Sequence, residues 1–361
     1  MEGMVKLALV GTGMFGGDVH ARAYADLQRA GISPQLGGVG LDHWSRELAP
    51  IQFQLVAVAA RSAASARRAS ENFKNWSGHA PQAYSGETPW VDILRDFPDL
   101  DVLAVATPDH LHTQVILAAL EAGAHVITEK PMCLEIVEAD QIIQLAMKKD
   151  RVVAVDMHKR YDPDHLRIAS DIKKRIGEPL YGVAYLEEPL EVSTSTFKWA
   201  EQSDPFSYVG PHWVDLICHY YASKPVSLTA IGQKKRLLRE GINAYDAVQV
   251  RIDFDNGMSI HFHNNWITPP DFEGAVNQGH EIVHRRQSRK RPAISRASLV
   301  AERRRQPNCE QPFHARRAPA RRLARLYRIR RRQPDRRAGG YLPGEILWSE
   351  PPERRGDLPD G

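Results

Sequence analysis

Three glycines in the run Gly11-Thr12-Gly13-Met14-Phe15-Gly16 stand at the spacing that lets a backbone close around a pyrophosphate. Gly11 permits a tight turn, Gly13 lets the backbone approach phosphates, and Gly16 lets the next helix, read over Ala21 to Ala30, pack closely. The N-terminus of that helix presents unpaired N–H groups to an anion. A dinucleotide site of the NAD type places an acid about 20 residues on, at the end of the second strand, to hold the ribose 2′-hydroxyl. Here that strand ends Ala59-Ala60-Arg61-Ser62, and a guanidinium with a hydroxyl suits a 2′-phosphate, which Arg binds bidentately. The expected cofactor is therefore NADP or NAD, with NADP favoured; a solvated surface role for Arg61 is the alternative. Two more polar clusters, Ala106-Thr107-Pro108-Asp109-His110-Leu111-His112 and Glu129-Lys130-Pro131, end predicted strands. Open α/β sheets bind ligands at those carboxyl ends, so both border one crevice. Thr107, Pro108, His112, Glu129 and Lys130 join the expected cofactor contacts.

The elements that must hold these residues are legible as alternating apolar runs and helical stripes. Strands are predicted at Val5 to Val10, Gln54 to Ala59, Val102 to Ala106, His125 to Thr128 and Val152 to Asp156. Between them, apolar residues three or four apart, such as Ile116, Ala119 and Leu120 or Ala139, Ile142 and Leu145, read as amphipathic helices covering a doubly wound parallel sheet. Ala30 to Pro50, rich in glycine and proline, reads as an inserted loop. After a boundary near Asp156 to Asp162 come longer alternating strands, Leu180 to Leu186, Ala247 to Phe254 and Ser259 to Trp266. Asp255-Asn256-Gly257 lies between the last two as a hairpin signal. The expected fold class is α/β: residues 1–157 as the doubly wound domain, 158–280 as a second α/β domain with a mostly antiparallel open sheet, and 281–361 as an Arg-rich tail.

Taken in order, the glycine run, the Thr-Pro-x-x-x-His segment and above all Glu129-Lys130-Pro131 resemble the family of glucose-fructose oxidoreductase, inositol dehydrogenase and MocA, over residues 4 to about 280. The resemblance implies a Rossmann domain followed by an α/β domain whose open sheet often forms oligomer contacts. It also implies substrates that are sugars, polyols or related alcohols and ketones. In that family the proline of the tripeptide is commonly cis, the lysine contacts nicotinamide and substrate hydroxyl, and a second-domain histidine assists proton transfer. Carried over, Lys130 is that lysine. The second-domain motif, usually Asp-x-Gly-x-His-x-x-Asp, corresponds to Tyr208-Val209-Gly210-Pro211-His212-Trp213-Val214-Asp215, with Tyr208 in place of the first aspartate. The motif is expected at the start of a helix, where His212 and Asp215 share a face; a core helix capped by His212 is the plain alternative. The implied catalytic set is Lys130, His212 and Tyr208, with His212 as base, Lys130 stabilising the developing alkoxide, and a phenol able to donate at position 208. Arg160, Tyr161, Trp199 and Asp215 join Lys130 and His212 as expected substrate contacts. His158 and Lys159 could meet substrate or line a domain junction. Ser193 to Thr196 with Lys198 could be an exposed loop, and Asn264-Asn265-Trp266 could be structural.

Composition limits the alternatives. Residues 281–361 carry 22 of the 48 Lys and Arg but only 9 of the 44 Asp and Glu, a net +13, which leaves residues 1–280 at −9. The body therefore has no reason to seek nucleic acid. The tail, with runs such as Arg303-Arg304-Arg305, reads as a nucleic-acid arm, a solvated disordered segment or, favoured, the product of a reading-frame shift that leaves the second sheet unfinished; resequencing the coding region decides this. Cys133, Cys218 and Cys309 are widely spaced and odd in number, which fits neither a disulfide framework nor zinc ligands, so no metal is expected. The apolar run before Gly11 is too short for a secretory or membrane segment, and a cytoplasmic protein is expected. The leading function is an NAD(P)-dependent dehydrogenase acting on CH–OH groups of a sugar-like or polyol-like small molecule, as a homo-oligomer if the second domain is intact. A dinucleotide-binding sensor without turnover is the alternative.

Overall fold

The computed structural model describes residues 3–172, 176–269, 271–272, 276–286 and 293–299. The first domain runs β1 (Gly3–Val10), a π-turn at Gly16–His20 leading into α1 (Ala21–Ala30), the four-residue helices α2 (Ser33–Leu36) and α3 (Ser45–Leu48), β2 (Ile51–Ala60), α4 (Ala63–Ser77), β3 (Gln82–Ser85), α5 (Pro89–Asp96), β4 (Val102–Val105), α6 (His112–Glu121), β5 (His125–Thr128), α7 (Ile136–Lys149) and β6 (Val153–Val155). The second runs α8 (Pro163–Asp171), β7 (Glu178–Pro189), α9 (Pro205–Tyr221), β8 (Pro225–Gln233), α10 (Arg236–Arg239), β9 (Ala247–Phe254), β10 (Ser259–Thr268), β11 (Asn277–Arg286) and β12 (Ala293–Leu299).

The first six strands form one parallel sheet in the order β3-β2-β1-β4-β5-β6. Helices cover both faces, which is why Leu7, Ala8, Leu9 and Val10 are buried in unbroken succession. Val115, Ile116, Ala119 and Leu120 of α6 close one face, and Tyr24 and Ala25 of α1 with Phe73 of α4 close the other. Chain order reverses between β1 and β4, so the loops that follow those two strands diverge and leave a crevice at their carboxyl ends.

The second sheet has the order β12-β11-β7-β10-β9-β8. Only β7 and β10 pair in parallel; the other neighbours are antiparallel. The α/β expectation with a mostly antiparallel second sheet is met. α9 lies on one face of that sheet, burying Val209, Trp213, Leu216 and Ile217 against Val250, Ile252 and Phe262, and the Trp213 indole N–H donates to the Tyr185 carbonyl at 2.8 Å. The hairpin read at Asp255-Asn256-Gly257 joins β9 to β10, with Gly257 at φ 82° and the Phe254 N–H donating to the Met258 carbonyl at 2.8 Å.

Four expectations need correction. Ala30 to Pro50 is not a plain loop: it folds into α2, α3 and two 3₁₀ turns, anchored by the buried Leu36. The motif from Tyr208 to Asp215 does not begin a helix, because Asp204 caps α9 by accepting the Phe206 and Ser207 N–H groups and Pro205 stands at the first helical position; His212 is therefore two turns in and caps nothing. The boundary at residue 280 falls inside β11, whose Ile282 and Val283 are buried against the sheet, and β12 pairs with β11 beyond it. Strands β3 and β8 also went unread: β3 is four residues long, and β8 is exposed along almost its whole length, so neither carries a clear alternation. The expectations for the rest of the Arg-rich tail concern residues outside those described.

Candidate functional site

The glycine loop sits at the reversal point of the first sheet. Gly11 has φ 99°, and a Cβ there would lie 2.2 Å from the Ala106 carbonyl oxygen; at Gly16 it would lie 2.0 Å from the Gly11 oxygen. A Cβ at Gly13 would meet nothing within 4 Å, so one glycine opens the loop to space while the other two weld it to β4. The Thr12 and Thr107 hydroxyls on the two sides of this crevice are buried and have no hydrogen-bond partner among the described residues. A cleft of about 240 Å³ on the Thr12 side is lined by Thr12, Gly13, Met14, Asp18, Arg68 and Asn72, among others. Backbone N–H groups, orphaned hydroxyls and a guanidinium around an open glycine are a donor set that fits a pyrophosphate-bearing dinucleotide. Arg61 is highly exposed and ion-paired with Glu87 at 3.1 Å, whereas the Ser62 hydroxyl caps α4 by accepting the Ser65 N–H at 3.1 Å. Pro108 begins the turn after β4, and Phe15 faces His158 with ring centroids 5.6 Å apart.

Lys130 is the centre of the polar site. It follows β5 and precedes a cis Lys130-Pro131 bond, is buried, and its ammonium donates to the Tyr208 carbonyl at 2.7 Å while lying 3.8 Å from the centre of the Tyr208 ring. Burial pulls this ammonium below its usual range, opposed by the charges of Glu129, Asp109, Glu188 and Asp156. Burial also works to raise Glu129, but the hydrogen bond from His20 at 2.8 Å and the Lys130 charge outweigh it and leave the carboxyl low. Asp156, 3.6 Å from the same His20 Nε2, is raised by burial and by the Glu129 charge. His112 faces no crevice: it is fully buried, with Nδ1 2.6 Å from the Pro131 carbonyl and Nε2 2.9 Å from that of Thr107, and so fastens the two strand-end loops together.

The second domain contributes His212, whose Nδ1 is buried without a partner among the described residues and whose ring lies 4.9 Å from that of His158. Burial first, then the positive charges of Lys130 and Lys159, drive it far below the usual histidine range, so it is a neutral imidazole. Asp215 does not turn with it toward Lys130; it forms a two-point ion pair with Arg160, Nε to Oδ2 at 2.7 Å. Tyr161 is exposed. Trp199 stacks on Phe197 at 4.4 Å, and both pack edge-on to Tyr208.

Several polar residues of the centre were missed in the sequence reading: His20, Asp109, Asp156, Arg68 and Glu188. Asp109 accepts the Ser203 hydroxyl at 2.7 Å across the two domains, a contact no local pattern announces. Glu188 did leave a signal: on β7 it shares parity with the buried Ala184 and Leu186, so an acid stands where the alternation asks for an apolar residue.

Residues 5–157 match the model of the oxidoreductase family with an NAD-binding Rossmann fold, and residues 172–283 match the GFO/IDH/MocA C-terminal domain. The chain belongs to this family. It is similar to the uncharacterized oxidoreductase YdgJ of Escherichia coli, 33% identical over 129 residues that are 35% of each chain. The chain likewise spans about half the length of the next two curated relatives. A levoglucosan dehydrogenase of Pseudarthrobacter phenanthrenivorans is 26% identical over 83% of this chain and 78% of that one. The fold matches that of scyllo-inositol dehydrogenase from Lactobacillus casei, solved with NAD(H) and scyllo-inositol, at TM-score 0.62 and 18% identity over 82% and 77% of the two chains. Among the described residues no helix is long and apolar enough to cross a membrane.

Proposed function

We propose that the chain is an NAD(P)-dependent dehydrogenase acting on a CH–OH group of a sugar, polyol or related small molecule, with NADP favoured. The observation that carries this reading is the buried Lys130 ammonium, held by the Tyr208 carbonyl at the carboxyl edge of the sheet with the unpartnered His212 imidazole on the facing helix. When bound, the nicotinamide ring supplies the hydride acceptor or donor.

The residues divide the rest of the work. The open backbone at Gly13 and the N–H groups at the head of the π-turn receive the pyrophosphate, and the Thr12 and Thr107 hydroxyls find partners on the dinucleotide. Arg68 faces the pyrophosphate from the cleft beside Gly13, and Arg61 meets a ribose 2′-phosphate by exchanging Glu87 for it. Lys130, itself buried, donates to the substrate oxygen and stabilises negative charge as it develops there. His212, neutral and with a free ring nitrogen, accepts a hydrogen bond from a substrate hydroxyl and orients it. Tyr208 presents an aromatic face and a phenol where related chains carry an acid, while Arg160 and Asp215 hold the start of the second domain in place through their ion pair.

The test is direct. The purified chain, supplied with NAD⁺ or NADP⁺ and a panel of inositols, pyranoses and anhydrosugars, is expected to generate the absorbance of reduced nicotinamide with at least one of them, and Lys130→Ala is expected to abolish it. Near-normal turnover by Lys130→Ala would overturn the assignment.

A further inference from the structure

The Lys130 ammonium is a buried cation that holds no carboxylate: among the described residues its hydrogen bond goes to the neutral Tyr208 carbonyl, although an acid, Glu129, immediately precedes it in the chain. In a low-dielectric space, opposite charges on neighbouring residues pair strongly unless something else engages one of them. What engages Glu129 is His20. The ring Nε2 stands 2.8 Å from Glu129 Oε1, while Glu129 Oε2 accepts the Lys130 backbone N–H at 3.3 Å, so each carboxylate oxygen has a partner other than the ammonium. A carboxylate only accepts, so Nε2 carries the hydrogen, and in the neutral ring Nδ1 accepts the Tyr24 hydroxyl at 3.0 Å. Asp156 Oδ2 approaches the same Nε2 at 3.6 Å, too far to compete for that hydrogen. His20 is buried and closes the π-turn that leads out of the glycine loop, where the Ala21 N–H reaches back five residues to the Gly16 carbonyl. One residue more than an α-turn swings the helix face that follows by about 100°, and that face brings His20 and Tyr24 to the end of β5. An apolar side chain at position 20 would pack in the same place, but it would return Glu129 to the cation next to it.

We propose that His20 is a positioning residue that holds the Glu129 carboxylate off the Lys130 ammonium and so keeps that ammonium free for the substrate oxygen. This rests on the dehydrogenase reading. An ammonium locked to Glu129 would keep its charge, but it would have to break a strong pair before meeting the oxygen on which negative charge develops. A carbonyl such as that of Tyr208 is a weaker partner than a carboxylate and yields the ammonium more readily. His20 exchanges no proton with the substrate; its effect runs through Glu129.

The experiment uses the full chain and two substitutions of similar size that separate positioning from packing. Superposed on the histidine side chain, the amide nitrogen of glutamine falls near Nε2 and that of asparagine near Nδ1, so only His20→Gln can still donate to Glu129. With whichever polyol and dinucleotide turn over, His20→Asn is expected to lower kcat about tenfold to a hundredfold, whereas His20→Gln should stay within about threefold of the unmodified chain. A crystal structure of His20→Asn should show the Glu129 carboxylate turned onto the Lys130 ammonium. Equal turnover by the Asn and Gln variants, or a Glu129 carboxylate that stays off Lys130 in His20→Asn, overturns the role of His20 and leaves the dehydrogenase reading standing. Absence of turnover by the unmodified chain across the whole panel with both dinucleotides overturns the dehydrogenase reading, and the role of His20 with it.

Discussion

Replacing Gly16 and Gly13 by alanine, one at a time, separates the two tasks of the glycine loop. A Cβ at Gly16 would sit 2.0 Å from the Gly11 carbonyl oxygen, whereas ordinary contact begins at 3.4 Å. The π-turn must therefore retreat from the loop by more than 1 Å, and the obstacle is backbone, which cannot swing aside as a side chain can. Overpacking of this kind costs about 1–3 kcal/mol, and each kcal/mol lowers the Tm of a domain of this size by roughly 2–4 °C. The same retreat withdraws N–H donors from the phosphates. A charge-assisted hydrogen bond is worth about 1.5–3 kcal/mol, so losing one weakens dinucleotide binding by about tenfold to a hundredfold. At Gly13 a Cβ meets nothing of the protein within 4 Å, and the expected stability change is within about 0.5 kcal/mol, but the methyl group projects into the space the pyrophosphate would fill. Gly13→Ala should thus melt like the unmodified chain and bind dinucleotide poorly, while Gly16→Ala should fail on both counts. Calorimetric melting and titration of reduced-dinucleotide fluorescence measure the two quantities separately. Unchanged affinity in Gly13→Ala would refute the placement of the pyrophosphate over this loop, and an unchanged Tm in Gly16→Ala would refute the packing argument.

Arg61→Ala is expected to lower kcat/KM for NADP about tenfold or more while sparing NAD, whereas Arg68→Ala should weaken both dinucleotides; a larger loss with NAD in Arg61→Ala would reassign that arginine. Because the folded-state value of Glu188 is raised to about 7 from 4.5, the folded chain binds more protons than the unfolded one in this window. The contribution to stability is full below about 4.5 and is lost as pH rises through 7, on the order of 3 kcal/mol in all. Glu188→Gln should remove that slope, and chemical denaturation at pH 5 and pH 8 compares the two chains; parallel slopes would count against the burial argument. Exposed apolar side chains on the second sheet, Leu180, Tyr181, Val226, Leu228 and Ile231, lead us to expect a homo-oligomer by sedimentation velocity, and a Leu228→Asp, Ile231→Asp chain shifted toward monomer; a monomer before substitution would remove that expectation.

Local rules suffice wherever a residue's role is discharged by its neighbours in sequence. The glycine spacing, the strand ends that carry Thr107 and Lys130, the Asn-Gly hairpin and the alternation of β9 and β10 are all of this kind, and each was readable because turn geometry and side-chain period act over a few residues. What the tertiary structure decided is which charges share a low-dielectric space. His112 carries every local mark of a ligand residue but spends both ring nitrogens on the carbonyls of two loops. Asp215 stands one helical turn from His212 but is held by Arg160, 55 positions away, and Lys130 reaches the Tyr208 carbonyl, 78 positions away, only because α9 lies against the end of β5. Desolvation depends on everything that surrounds a group, so a carboxyl raised to about 7 or a histidine kept neutral has no signature in its own residue type. The one trace of it in the chain is an acid on the apolar parity of a strand, a conflict between polarity and burial that only the packed site accounts for.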